Sequence, residues 1–233
     1  MRPDRIAGLL APFLAPQGRS DQLAVLSPTQ LQDISTYIDI LLKWNAHINL
    51  TAIRDPEDIV PRHFGESLFA ARSLFPVGYP VSSVPSVLKN LSVADIGAGA
   101  GFPGLPIKLW APHIALTLIE SNHKKVAFLR EVARALTLTD VDIQNTRAEA
   151  LTGKTFNVVT LRAVERFETI LPTAAALLAP GGRLALLIGS TQAETARKTL
   201  PDLTWTDPAP IPDSRARVLL TAKKSPREPD STK

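Results

Sequence analysis

The segment Val93-Ala94-Asp95-Ile96-Gly97-Ala98-Gly99-Ala100-Gly101-Phe102-Pro103-Gly104 constrains this chain more than any other. A short apolar run, Leu91 to Ile96, meets a cluster of glycines, and a helical pattern from Pro103 to Trp110 follows at once. Glycines let a backbone turn sharply and approach a ligand closely, and a helix opening just after them aims its amides at that ligand. The pattern continues with strand candidates at Ile114 to Ile119, Val141 to Gln144, Asn157 to Thr160, Arg183 to Ile188 and Arg217 to Ala222. Helices are expected between them at Asn122 to Leu136 and from about Phe167 to Leu178. Strands alternating with helices predict βαβ units, hence an α/β fold with a mostly parallel sheet and helices on both faces. No internal repeat is visible.

Upstream, Ser27-Pro28-Thr29-Gln30 reads as a capping box with proline at the first helical position, and Leu31, Ile34, Ile38, Leu41 and Leu42 mark one buried helix face. A second start stands at Asp55-Pro56-Glu57-Asp58, where acidic groups suit the helix dipole. Pro61 lies inside that helix and predicts a kink or a restart. Arg2 and Arg5 before an apolar stretch faintly resemble a secretion signal, but Pro12 and Pro16 interrupt it, so a short amphipathic helix packed on the body is expected. The Pro- and Ser-rich stretch from Pro76 to Asn90 reads as a connection. The expected organisation is an N-terminal helical extension over 1–76, a connection over 77–90, a core over 91–222 and a mobile tail over 223–233.

Composition narrows the chemistry. There is no cysteine, which excludes disulfides, a cysteine-rich zinc site and any thiol nucleophile. No apolar run approaches the ~20 residues of a membrane span, and hydrophobic content is 45%. A soluble, cytoplasmic protein is expected, monomeric and without a metal. The net charge of +4 mildly favours a polyanionic partner.

In an open parallel sheet, ligands bind beyond the carboxyl ends of the strands where strand order reverses. A dinucleotide fingerprint starting at Gly97 needs its third glycine at position 102, where Phe102 stands. Asp95 is expected at the mouth of the turn, where it would repel a pyrophosphate but suit a ligand with a cationic amino acid moiety, such as S-adenosylmethionine (SAM). Glu120 closes the second strand, where a carboxylate can accept both ribose hydroxyls. Together these place the cofactor against Asp95, Gly97, Gly99, Gly101 and Glu120. The pattern resembles the Rossmann-like class I SAM-dependent methyltransferases, which implies a seven-stranded sheet. Ala179-Pro180-Gly181-Gly182-Arg183 looks like a structural turn of the same superfamily.

The fourth strand candidate, in the stretch Phe156 to Ala163, should end nearest the transferred methyl. It carries no Asn/Asp-Pro-Pro-aromatic motif of the exocyclic-amine methylases, and methylation through a cysteine adduct is excluded. What remains are acceptors nucleophilic at neutral pH without a strong base, of which guanine N7 is one. Arg162 is the candidate catalytic residue, able to bind a phosphate, hold the guanine O6 edge or orient the cofactor; pairing with a carboxylate is the plainer reading.

Over roughly residues 30 to 222 the chain resembles the bacterial small-subunit rRNA guanine-N7 methyltransferase G family, also called the glucose-inhibited division protein B family. The marks are Lys43-Trp44-Asn45, Ile48-Asn49-Leu50-Thr51, Arg54-Asp55-Pro56, Arg62-His63 with Glu66-Ser67, the glycine turn, Lys124 to Leu129, and Arg162-Ala163. The resemblance implies SAM contacts at Gly97, Phe102, Ala148, Glu149 and Arg162, with Glu120 on the ribose, and places Asn49, Arg62 and His63 near the mouth of the site. His63 reads as structural rather than as a general base, since N7 offers no proton. The chain departs from the family in Glu66, where aspartate is usual, in Pro61, and in the long Pro76 to Asn90 connection.

The implied partner is small-subunit rRNA or the small ribosomal subunit, contacted by Lys124, Lys125 and Arg130, with Arg134, Arg166, Arg183, Arg215, Arg217, Lys223 and Lys224 as further candidates. Three alternatives remain: a class I methyltransferase with another acceptor, an NAD-linked oxidoreductase, and a non-catalytic ribosome-assembly factor on the same fold.

Overall fold

Val93 to Ile96 are all buried, because β1 (Ser92–Ile96) is paired on both edges and covered on both faces. The computed structural model describes residues 1–15, 25–75, 91–164 and 166–226. β2 (Ala115–Ile119) and β4 (Phe156–Arg162) flank β1 in parallel, with β3 (Val141–Gln144) beyond β2 and β5 (Leu178–Gly189) beyond β4, also parallel. β8 (Arg217–Lys223) then runs antiparallel to β5, and the two-residue strands β6 (Thr204–Trp205) and β7 (Ala209–Pro210) pair antiparallel with β8. The order is β3-β2-β1-β4-β5-β8-β6, with β7 beside β8 as an eighth strand beyond the seven expected. Strand order reverses between β1 and β4, so Ile96 and Leu161 stand side by side where the two strands end.

The alternation of side chains along the strands builds two cores. Val93, Leu116, Val158 and Ala185 join one apolar cluster, while Ala94, Ile119, Val159 and Leu184 join the other. The second is capped by α7 (Phe167–Ala176) and α8 (Gln192–Thr199), whose Leu171, Ala174, Ala193 and Ala196 are buried. The first continues through α5 (Gly104–Trp110) and α6 (His123–Ala135) into the N-terminal helices, so these have no separate core.

α1 (Pro3–Leu14) buries Ile6, Leu10, Phe13 and Leu14, as an amphipathic helix should. α2 (Pro28–Asn45) starts with the predicted capping box between Ser27 and Gln30. α3 (Pro56–Ile59) is interrupted where Pro61 was expected to disturb it: residues Val60–Gly65 widen into a π turn before α4 (Glu66–Leu74) resumes. Proline lacks the N–H the helix ladder needs, and its ring crowds the preceding turn, so the helix relaxes by widening. Ser67 Oγ donates to His63 O at 2.6 Å, taking up a carbonyl in the widened segment.

The Pro76 to Asn90 connection lies outside the described residues, as does the tail from 227 on. The first residues assigned to that tail are ordered instead: β8 runs through Lys223, and Lys224 N donates to Gly182 O while its Nζ donates to Ala175 O and Leu178 O. The sequence reading gave no element at α8, β6 or β7.

Candidate cofactor and acceptor site

The glycine turn leaves β1 at the sheet's carboxyl edge. Gly97, Gly99 and Gly101 have φ of 67°, 56° and 85°, the left-handed region that side chains disfavour. Gly97 N and Ala98 N both donate to Ile119 O, at 2.9 and 3.0 Å, which ties the turn to the end of β2. Gly97 is exposed and Gly99 half-buried, so the turn meets solvent there.

Gly101, expected to touch the cofactor, is buried on the far side. A Cβ on it would overlap Tyr37 Oη and lie 2.6 Å from Leu105 Cδ1, so it is glycine because α2 packs there. Tyr37 Oη donates to Ala100 O. Phe102 is likewise 5% exposed, its ring stacked between Tyr37 at 5.3 Å and His63 at 4.8 Å, with Phe64 edge-on at 5.1 Å. Only its backbone remains for a ligand. Tyr37 was not singled out from the sequence, although its place between Ile34 and Leu41 on the apolar face of α2 was the signal that could have marked it.

Asp95 requires a correction. It was expected at the mouth of the turn, but strand parity points it with Val93 into the core, and it is 0% exposed. Its Oδ2 accepts from Gly104 N at 3.0 Å and its Oδ1 from Thr160 Oγ1 at 2.8 Å. It therefore braces the turn from beneath, joining the start of α5 to β4. Burial pushes its carboxyl up to about 7, against the opposing pull of the Thr160 and Gly104 hydrogen bonds.

Glu120 stands at the carboxyl end of β2, as expected. Its Oε2 accepts from Gly99 N at 2.9 Å and its Oε1 from Asn122 N at 2.8 Å. An ionised carboxylate offers about four lone-pair directions, so both oxygens keep acceptor capacity for a diol. Asn145 Nδ2 donates to Glu120 O and Ser121 O, both at 3.1 Å, drawing the end of β3 to the same edge. The short 3-10 turn Ala148–Ala150 follows, with Ala148 buried and Glu149 exposed. α6 begins here as well, capped by Asn122 Oδ1 on Lys124 N and Lys125 N. Lys124 and Arg130 are exposed and Lys125 half-buried, with Arg130 some ~9 Å further along the helix than Lys124.

A charge cluster occupies the ends of β4 and β8. Glu66, the first residue of α4, has a side chain 2% exposed. Its Oε2 accepts from Arg162 Nε and Nη2 at 3.2 and 3.0 Å. Its Oε1 lies 2.9 Å from Arg217 Nε, off the axis of a hydrogen bond, and 3.7 Å from Arg62 Nε. Arg162 Nη2 also donates to Arg62 O at 2.6 Å and to His63 Nδ1 at 3.1 Å. Arg162 is thus where the sequence put it, and it is paired with a carboxylate.

The His63 tautomer follows from these partners. A guanidinium only donates, so Nδ1 accepts and Nε2 carries the hydrogen, donating to Thr51 Oγ1 at 2.7 Å. Burial, then Arg162, Arg62 and Arg217, lower its pKa to about 3, so the ring is neutral at physiological pH. The loop carrying Thr51 is shaped by Asn45, whose Oδ1 accepts from Leu50 N and Thr51 N; Asn49 remains exposed on it. The structure thereby brings Arg62, His63 and Arg162 together, and leaves Asn49, Lys124 and Arg130 exposed and Lys125 half-buried, with no hydrogen bond or ion pair to that cluster among the described residues. Sequence reasoning gave Glu66 no role.

A family model described as rRNA small subunit methyltransferase G matches residues 30–206. A Halorhodospira halophila protein named ribosomal RNA small subunit methyltransferase G is 40% identical over 174 residues, 74% of this chain and 77% of that one. One of the same name from Bacillus cytotoxicus is 32% identical over 224 residues, 88% of this chain and 89% of that one. Among solved structures, magnesium protoporphyrin IX methyltransferase from Synechocystis, with bound SAM, superposes with a TM-score of 0.60 at 16% identity, over 88% of this chain and 100% of that one. At that identity the likeness speaks to the fold alone.

Proposed function

Since the chain belongs to the rRNA small subunit methyltransferase G family, we propose that it methylates N7 of a guanine in small-subunit rRNA. The fold is that of a class I methyltransferase, the cofactor is SAM, and the reaction is rRNA methylation. A ribosomal substrate puts the reaction in the cytoplasm. Among the described residues no helix is long and apolar enough to cross a membrane.

The residues fit SAM. Gly97 and Gly99 present backbone without a Cβ where the turn meets solvent, a Cβ on Gly97 being 3.0 Å from Val164 Cγ1, and Glu120 keeps acceptor directions for the ribose. Ala148 and Glu149 border the same edge from the end of β3, where they would flank the adenine. When bound, SAM supplies a methyl group on a positively charged sulfur, electrophilic enough to be taken by a ring nitrogen in one displacement. Arg162, at the end of β4 beside the turn, positions the guanine edge or the cofactor.

The observation that carries the N7 reading is the absence of a free base where β1 and β4 end, among the described residues. Asp95 has both oxygens bonded, Glu66 is held by arginines, and His63 uses both ring nitrogens. Such a site suits an acceptor whose lone pair is already available, and guanine N7 carries no proton. Catalysis then rests on alignment, which can supply as much as ~7 to 11 kcal/mol in favourable cases.

The test is to incubate the protein with methyl-labelled SAM and small subunits from cells lacking the modification, then digest the RNA and identify the labelled nucleoside. Label in 7-methylguanosine supports the reading. Label in another nucleoside, or none, overturns it.

A further inference from the structure

Glu66 is the first residue of α4, far in sequence from every strand, yet its carboxylate is buried against three arginines from three places: Arg62, Arg162 and Arg217. An ordinary structural ion pair would join one cation to one anion. Here Arg62, Arg162 and Arg217 share one acid, and the ring beside them, His63, is neutral, so positive charge is left in excess. Guanidinium groups so placed repel one another, and the shared carboxylate is what holds them together.

The geometry converges on Arg162. Its Nε and Nη2 are taken by Glu66 Oε2, and Nη2 is further fixed by Arg62 O and His63 Nδ1. Its Nη1 has no protein partner among the described residues, and its side chain keeps 10% exposure. Arg162 follows Leu161, which pairs with Ile96, the residue before Gly97. Arg217 arrives at the same edge, since β8 is antiparallel and Arg217 pairs with Gly189 at the end of β5. The carboxylate therefore grips one side of the Arg162 fork and leaves the other side for the reacting partners.

We propose that Glu66 is a positioning residue for methyl transfer, acting through Arg162 by fixing the orientation of its guanidinium at the carboxyl end of β4. This rests on the reading that Arg162 serves the reaction. The charge of Glu66 is what matters, so Glu66→Asp should work where Glu66→Gln does not.

The experiment compares steady-state methylation of small subunits by the full chain, Glu66→Gln, Glu66→Asp, Arg162→Ala and the Glu66→Gln/Arg162→Ala double variant, with kcat and KM separated. Glu66→Gln should lose at least about tenfold in kcat/KM, Glu66→Asp should regain most of it, and the double variant should be no worse than Arg162→Ala. An active Glu66→Gln, an Asp variant as poor as the Gln variant, or additive losses in the double variant would each overturn the proposal. Should Glu66→Gln not fold alone, the Arg162→Ala background carries the test. Free guanidinium should then restore turnover to Arg162→Ala but not to the double variant, and equal restoration overturns the proposal. No transfer by the unaltered chain overturns the proposed function, and this inference with it; an active chain with an indifferent Glu66 overturns this inference alone.

Discussion

Tyr37 and Ala100 are 63 residues apart, and the phenol of the first donates to the carbonyl of the second at the tip of the glycine turn. The N-terminal helices are therefore part of the glycine turn's frame. With Phe102 stacked between Tyr37 and His63, one aromatic column runs from the turn to the arginine cluster.

Tyr37→Phe keeps the ring and removes the donor, leaving the buried Ala100 carbonyl unpaired. Stability to urea should fall by about 1–3 kcal/mol, and SAM should bind more weakly by calorimetry because the turn is no longer pinned. Unchanged stability and unchanged affinity together would remove the link between α2 and the turn.

Asp95 makes stability depend on pH with a sign opposite to that of most carboxylates. Its pKa is about 7 in the folded chain against an ordinary value of 3.8, so between those values the folded state holds more protons than the unfolded one. Its contribution is complete below the lower value and is lost as pH rises through the upper, by roughly 4 kcal/mol at most. Asn can still accept from Gly104 N and donate to Thr160 Oγ1. Urea midpoints for wild type and Asp95→Asn, taken at about pH 5 and pH 8, should show wild type losing stability relative to the variant as pH rises.

His63 should not titrate near 6.5. With its pKa depressed to about 3, its ring resonances should hold one neutral Nε2–H tautomer from about pH 8 down to pH 5 in NMR. Because the folded state binds fewer protons than the unfolded one below 6.5, this group costs stability as the solution is acidified. A midpoint near the ordinary histidine value would contradict the Arg162 hydrogen bond to Nδ1.

Lys124, Lys125 and Arg130 are expected on RNA phosphates. Replacing all three with alanine should weaken binding of small-subunit RNA, and flatten the plot of log affinity against log salt by roughly 0.7 for each phosphate no longer neutralised. SAM affinity should stay within about twofold, since these side chains lie outside the glycine turn. A salt slope equal to that of wild type would move the RNA path to another face.

Much of the fold was legible because its signals are local. The capping box at Ser27, the disturbance at Pro61 and the apolar strand runs all depend on neighbours within a few residues. α8 was not, since Gln192–Thr199 buries only two alanines, and β6 and β7 are too short to carry a pattern. At the site, Gly97, Gly99 and Glu120 stand where the motif put them. Asp95 was misplaced because proximity to the glycines outweighed strand parity, which sends position 95 inward with Val93. Glu66 was noticed only as a departure from the family, and its role was not legible for a different reason: its partners sit at positions 62, 162 and 217, and no spacing rule joins them.

The position of β8 between β5 and β6 has a consequence for synthesis. A chain emerging from a ribosome delivers β5, then β6 and β7, before the strand that must slot between β5 and β6. Until then β5 has an open edge, β6 has no neighbour, and Glu66 lacks Arg217. The cluster at the ends of β4 and β8 therefore closes only once residues 217–223 have left the exit tunnel and can join strands already folded.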